Sequence, residues 1–376
     1  MNQPSVLKDG ETLLPGFEAR LIDIGKGRKI VAFDSHPQES SALYVPAEDS
    51  ADNCSKNLLP VVFLHGFPDN VFSFRLVVPI LVASGRRCIL LSSPGYDQAS
   101  ISSSGPDGRL DVPTVAKDYS IAIESILDLI SSPSRPSYHL VGHDWGALHA
   151  KFIASEIHSR RVASLSLAAV PHGILAGFKK HLKEQMIDNS WYMAFFQLPY
   201  LPEWWVLGPL DGLSWLWRRW SPSYDIDLVY LNSVRKTLSQ PGVMRSAINM
   251  YRDEFGKALL VQYLILRCIF IICWLIGFGN RPFRPTSDNY TQEERDEEAI
   301  IFNMPVLGIT GENDGCVDTR IFDFHMKEEK ERVYPRGYTL LQISNAGHFV
   351  FAESPKIVAE GLMQTMTKAD DIASEI

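Results

Sequence analysis

A carboxylate displayed on a sharp turn between two glycines is a nucleophile that needs no activation. Residues 142–146 spell that arrangement as Gly142-His143-Asp144-Trp145-Gly146. The apolar run Tyr138-His139-Leu140-Val141 precedes it and helix-period residues 147–157 follow it. This strand–turn–helix setting is the one in which a Gly-x-nucleophile-x-Gly turn exposes its central side chain. Glycines permit the tight turn. Aspartate is ionised at neutral pH, so it attacks without a base and is suited to displacement at an alkyl carbon, giving an ester. Capping of the following helix is the plain alternative. It would leave the rest of the constellation unexplained.

An ester on Asp144 must then be hydrolysed, which calls for a base, a group to orient it and donors for an oxyanion. With such a turn the chain order is nucleophile, acid, histidine. Asp314, in Gly311-Glu312-Asn313-Asp314, follows the apolar run 306–310 and is the expected acid. Glu312 and Asp318 compete with it, though each reads more simply as a solvated loop carboxylate or a helix N-terminal residue. His348, in Ala346-Gly347-His348-Phe349, is the only one of ten histidines beyond the last strand-like run, 339–343, and is the expected base. Upstream, Leu64-His65-Gly66-Phe67-Pro68 follows the run 60–64. A loop there supplies one oxyanion N–H and the residue after the nucleophile supplies the other, which points to the amides of Phe67 and Trp145. His65 and His143 read as structural.

The elements that must position these groups are short and apolar. Runs at 60–64, 88–91, 138–141, 165–170, 306–310 and 339–343 suit strands buried on both faces of a parallel sheet. The stretches 17–24 and 29–34 add two strands near the start, and helix-period segments such as 112–130 separate most of the later runs. The expectation is an α/β protein with a mostly parallel, doubly wound sheet. After Pro171 the alternation stops, and residues 172–303 read as an inserted helical lid. Residues 1–171 and 304–376 form the core on either side of it.

Composition narrows the function. A formal net charge of -8 leaves no basic face for phosphates, so nucleic acid is not an expected partner. Five scattered cysteines lack zinc-ligand or redox spacing, so neither a metal nor a disulfide framework is implied. No leader pattern is read at the N-terminus, and a reducing cytoplasmic setting is the expectation. Residues 258–278 are nearly all apolar but contain Arg267. A single span there would separate Asp314 and His348 from the chain before it across a bilayer about 30 Å thick. Burial between lid and core is therefore expected first, and peripheral membrane contact second.

From about Phe17 to Met366 the sequence resembles the epoxide hydrolases of the α/β-hydrolase superfamily, on the strength of His65-Gly66-Phe67-Pro68 and Gly142-His143-Asp144-Trp145-Gly146. The resemblance implies two lid tyrosines that polarise the epoxide oxygen. Tyr192, within Trp191-Tyr192-Met193-Ala194-Phe195-Phe196-Gln197, matches the first, and Tyr251, followed by Arg252, matches the second. It implies a small apolar epoxide as substrate and no metal or organic cofactor. Ser92-Ser93-Pro94-Gly95-Tyr96-Asp97 departs from the family's Asp-x-Arg-Gly-Tyr-Gly loop. A haloalkane dehalogenase would share the Asp nucleophile, but has no use for two tyrosines. A catalytically silent ligand-binding protein would not need nucleophile, acid and base together. A homo-oligomer is compatible with the sequence.

Overall fold

Four-residue runs of valine, isoleucine and leucine find enough burial only inside a sheet covered on both faces, and that is where they lie. In a computed structural model of the chain, the described residues are 13–35, 58–101, 109–127, 137–173, 183–275, 300–322 and 330–374. They form eight strands: β1 (Glu18–Gly25), β2 (Arg28–Asp34), β3 (Val61–Leu64), β4 (Cys88–Leu91), β5 (Tyr138–His143), β6 (Val162–Ala168), β7 (Val306–Gly311) and β8 (Tyr338–Ile343). β3, β4, β5 and β7 are buried at every position, whereas the outermost strands β1 and β8 alternate or open to solvent. Continuous apolar runs thus mark the central strands and mixed ones the edges.

The order across the sheet is β1-β2-β4-β3-β5-β6-β7-β8. β1 pairs antiparallel with β2, and β2 with β4; every other pairing is parallel. This is the expected mostly parallel, doubly wound sheet. The strand order reverses at β3, which has β4 on one side and β5 on the other. Loops leaving the carboxyl ends at such a point part from one another and leave a crevice. In place of the expected run 165–170 the strand spans Val162–Ala168, ending where Ala169 takes a positive φ of 64°.

Between β6 and β7 the described residues are helical and contain no strand. Four hydrogen bonds fasten this insertion to the loop after β3. The Trp217 indole N–H donates to the Pro68 carbonyl at 3.0 Å, the Asn70 amide donates to Ser233 and Thr237 at 3.1 Å each, and the Tyr230 hydroxyl donates to Asp69. Burial pushes the Asp69 carboxyl up to about 6, against the hydrogen bonds from Tyr230, Ser73 and Asn70 that pull it down.

The helix Ala258–Leu275 corrects the expectation of burial. It packs against residues 183–189 and the helix Trp191–Phe195, yet Val261 (58%), Leu264 (54%), Ile265 (54%) and Ile271 (51%) stand in solvent, and of its described side chains only Leu259 is buried. Hydropathy recorded the apolarity of the segment, but nothing among the described residues covers that face. Residues 276–278 of the apolar stretch lie outside the described residues. Among the described residues no helix is long and apolar enough to cross a membrane.

The turn after β5 is possible only because two residues lack side chains. A Cβ on Gly142 would meet the Gly146 carbonyl oxygen at 2.3 Å, and one on Gly146 would meet the Leu64 carbonyl oxygen at 2.0 Å. Backbone cannot yield as a flexible side chain does. Gly146→Ala is therefore expected to cost about 3 kcal/mol or more of stability. The fall in the urea midpoint at unchanged slope measures it, and a wild-type midpoint would contradict the packing described.

Candidate active site

The Gly-x-Asp-x-Gly turn places Asp144 at φ 53°, ψ −118°, a strained conformation for a non-glycine residue. Its backbone is over-determined. The Asp144 N–H donates to Ala168 O at the end of β6 (3.0 Å), and the Asp144 carbonyl accepts from the Ala147 N–H (2.9 Å). The strain aims the carboxylate at the crevice, where Oδ1 accepts the Phe67 N–H at 2.7 Å. Trp145 opens the helix Trp145–Phe152, and its indole lies in the cavity wall. Burial alone would raise the Asp144 pKa, but the hydrogen bond and charge of His348, the His143 ring and the Phe67 N–H hold it below the ordinary value.

His348 follows β8 and meets both carboxylates. Its Nδ1 bonds Asp314 Oδ2 at 3.0 Å, and its Nε2 lies 3.7 Å from Asp144 Oδ2. A water hydrogen-bonded to both at about 2.8 Å fits that separation. Burial opposes charge on the ring, yet Asp314 and Asp144 outweigh it and hold the pKa up at about 10. Of the three acidic residues considered after β7, Asp314 is the one bonded to His348; the Glu312 side chain is exposed and the Asp318 carboxylate takes the Arg320 guanidinium. Asp314 Oδ1 accepts the N–H groups of Cys316 (2.7 Å) and Val317 (3.0 Å), which holds the carboxyl group in place.

His65 and His143 sit where a structural role puts them. The His65 ring bonds the Gly66 carbonyl (3.1 Å) and accepts the Ser93 N–H (2.9 Å), and His143 Nε2 donates to the His348 carbonyl (2.9 Å). Burial pushes both imidazoles down to about 4, so they stay neutral.

Tyr192 and Tyr251 come from separate helices, Trp191–Phe195 and Val243–Phe255, yet their rings meet edge to face at 5.8 Å. The neighbours that accompany them hold them together. Gln197 Nε2 donates to the Tyr251 carbonyl (3.1 Å), while Arg252 reaches back to the carbonyls of Phe196 (2.9 Å) and Leu198 (2.7 Å). Burial raises both phenol pKa values well above ordinary, so the hydroxyls keep their protons. The Tyr192 hydroxyl lies 3.3 Å from Cys316 Sγ; the Tyr251 hydroxyl is buried without an aligned partner among the described residues, beside the Trp145 indole edge-on at 4.9 Å. Both tyrosines, Asp144 and Trp145 line one cavity of about 450 Å³, whose walls are largely apolar.

Sequence reasoning brought Asp144, His348, Asp314, Phe67, Trp145, Tyr192 and Tyr251 to this one place. It missed three residues. Gln185 is buried between the insertion and the loop after β7, donating to Ser190 Oγ (2.7 Å) and Cys316 O (2.9 Å) and accepting from Asp318 N–H (2.7 Å). Glu353 pins the His348 loop through the N–H groups of Gly347 (2.8 Å) and Phe349 (3.0 Å). Cys316 lines the cavity. No local pattern marks any of them.

The chain is similar to known proteins over most of its length. The profile described as the alpha/beta hydrolase family matches residues 61–361. An epoxide hydrolase of Caballeronia sordidicola is 31% identical over 330 residues, covering 84% of this chain and 89% of its own length. Human epoxide hydrolase 4 is 24% identical over 342 residues, covering 86% of this chain and 78% of its own. Among solved structures, an epoxide hydrolase of Vigna radiata superposes with a TM-score of 0.61 at 18% identity, over 94% of this chain and 99% of its own. At that identity the likeness speaks for the fold alone.

Proposed function

The chain belongs to the alpha/beta hydrolase family, in its epoxide hydrolase branch, and from that premise we propose that it converts apolar epoxides to vicinal diols through an ester on Asp144. The observation that carries the reading is the pairing, across one cavity, of an ionised aspartate on the strained turn with two buried, protonated tyrosine hydroxyls. Residues 172–303 act as the lid that brings those hydroxyls over the nucleophile. Asp144 attacks one ring carbon, forming a C–O ester bond as the ring C–O bond breaks. The departing alkoxide is held, and protonated, through Tyr192 and Tyr251. His348, oriented by Asp314, then takes a proton from water. The hydroxide adds to the ester carbonyl, the Phe67 and Trp145 amides hold the oxyanion, and collapse releases the diol and restores Asp144, while the proton taken up by His348 returns through solvent to the tyrosine oxygen and restores both side chains. Water is the only co-reactant. The largely apolar cavity suits an apolar epoxide, and an apolar substrate that partitions into lipid fits peripheral membrane contact through the exposed face of 258–275.

A single turnover in heavy-oxygen water tests the mechanism. The first diol should carry an unlabelled oxygen from the carboxylate, with the label appearing in the Asp144 peptide. A diol labelled from solvent in the first turnover would mean direct attack by water. Haloalkanes should yield no halide; halide release with no epoxide turnover would transfer the reading to dehalogenation.

A further inference from the structure

Cys316 has no part in the chemistry above, yet its thiol lies against it. It is buried in the cavity wall, 3.3 Å from the Tyr192 hydroxyl. Its sulfur, a carboxylate oxygen of Asp144 and a ring nitrogen of His348 all lie within 4.8 Å of one another. His348 Nε2 is fully buried, has no hydrogen-bond partner among the described residues, and sits 3.7 Å from Asp144 Oδ2. Sulfur, imidazole nitrogen and carboxylate oxygen are the three donor types of zinc sites, with bonds of about 2.0–2.3 Å, which sets donors roughly 3.3–3.8 Å apart around a tetrahedron. The nitrogen–oxygen pair already has that separation, and the sulfur, within 4.8 Å of both, needs to move by roughly 1–1.5 Å at most. Two outer features also match. His348 Nδ1 is held by the Asp314 carboxylate at 3.0 Å, the carboxylate–histidine pairing common behind zinc, and the Tyr192 hydroxyl is placed to donate to a thiolate.

We propose that the cavity is also an inhibitory site for a zinc-class divalent cation, held by Cys316 Sγ, His348 Nε2 and one oxygen of Asp144, with the fourth position left to water. Binding releases the thiol proton, and the Nε2 proton where His348 is charged, to solvent. A cation so placed takes both nucleophile and base out of service and competes with substrate. It is no cofactor. Hard cations such as Mg²⁺ gain little from sulfur and nitrogen and do not compete for the site. Inhibition rests on the hydrolase reading given above, but cation binding does not, and the two fail separately.

The test is calorimetric titration of the whole chain, first stripped with a chelator, using Zn²⁺ and Mg²⁺ in turn. One Zn²⁺ per chain is expected, with no Mg²⁺ heat. Cys316→Ser keeps a partner for Tyr192 while removing the soft donor, and His348→Gln removes the nitrogen. Each should weaken Zn²⁺ binding by on the order of a hundredfold or more. Cd²⁺ should produce a thiolate-to-metal ultraviolet band in the wild type that Cys316→Ser lacks. Cooperative melting qualifies each variant as folded, and Cys316→Ala replaces Cys316→Ser if the latter fails. Wild-type affinity in the folded Cys316 variant, a Cd²⁺ band that survives it, or absence of one-to-one Zn²⁺ binding would each overturn the site.

Discussion

His348→Gln protein mixed with an excess of an apolar epoxide is expected to accumulate an alkyl ester on Asp144, with one equivalent of epoxide consumed and little diol released. The first step asks only for an ionised carboxylate, to which the Phe67 N–H still donates in this variant although His348, the strongest of the groups holding its pKa down against burial, is gone. The second asks for a base, and glutamine is none. General-base loss typically lowers a rate by about a hundredfold to ten-thousandfold, so steady-state turnover should fall in that range while the alkylation burst survives. Intact-protein mass spectrometry reads the adduct, and peptide mapping places it. Rapid diol release with no adduct would remove His348 from the second step.

The same pair of residues gives the expected pH dependence its sign. In the free protein the carboxylates of Asp314 and Asp144 hold His348 up at about 10 against its burial, so the ring is charged at neutral pH. Forming the ester removes the charge on Asp144. The share of the shift that Asp144 supplied vanishes, the ring's pKa falls, and the neutral imidazole that deacylation needs becomes available. Deacylation should therefore rise with pH through a pKa below that of the free protein, whereas alkylation should fall only when Asp144 is protonated at low pH. Rapid-quench rates of the two steps separate the limbs.

How much of this was written in the sequence varies with the range of the interactions involved. β3, β4, β5 and β7 are buried on both faces, so their side chains report their position one by one, and the runs that mark them coincide closely with the strands observed. The turn at Asp144 is legible for a similar reason, since Gly142 and Gly146 are demanded by backbone contacts within reach of that same turn and of β3. Asp314 and His348 were placed by chain order, because the loops after parallel strands open on one edge of the sheet. Tyr192 and Tyr251 are different. Nothing in periodicity separates them from the other tyrosines among thirteen, and only the resemblance to a family singled them out. Cys316 was invisible, because its neighbours Asp144 and His348 are distant in the chain and no spacing encodes them. The helix Ala258–Leu275 failed in the opposite way, since its composition is plain while what covers it is a property of the whole surface.

Replacing both Tyr192 and Tyr251 by phenylalanine is expected nearly to abolish ring opening, and replacing either alone to slow it by on the order of a hundredfold, as for loss of one oxyanion donor. The two hydroxyls are not equivalent in the resting protein. Tyr192 lies against the Cys316 thiol at 3.3 Å, a weak partner, whereas the Tyr251 hydroxyl has no aligned partner among the described residues, with the Trp145 indole close by. Neither substitution strands a strong hydrogen-bonding group, so each variant should keep its fold within about 1 kcal/mol of wild type. The rings, which carry the edge-to-face contacts with Phe196, Trp145 and each other, remain. A loss of rate can then be assigned to the oxygen atoms. Because an alkoxide develops in the first step and leaves again in the second, the alkylation rate should carry nearly the whole effect, and hydrolysis of an ester already formed should change far less. Single-turnover quenching on one epoxide measures both steps in the four proteins of the cycle. An alkylation rate in the double variant equal to wild type would mean that the epoxide oxygen is polarised by some other group, and the lid tyrosines would lose their place in the reaction.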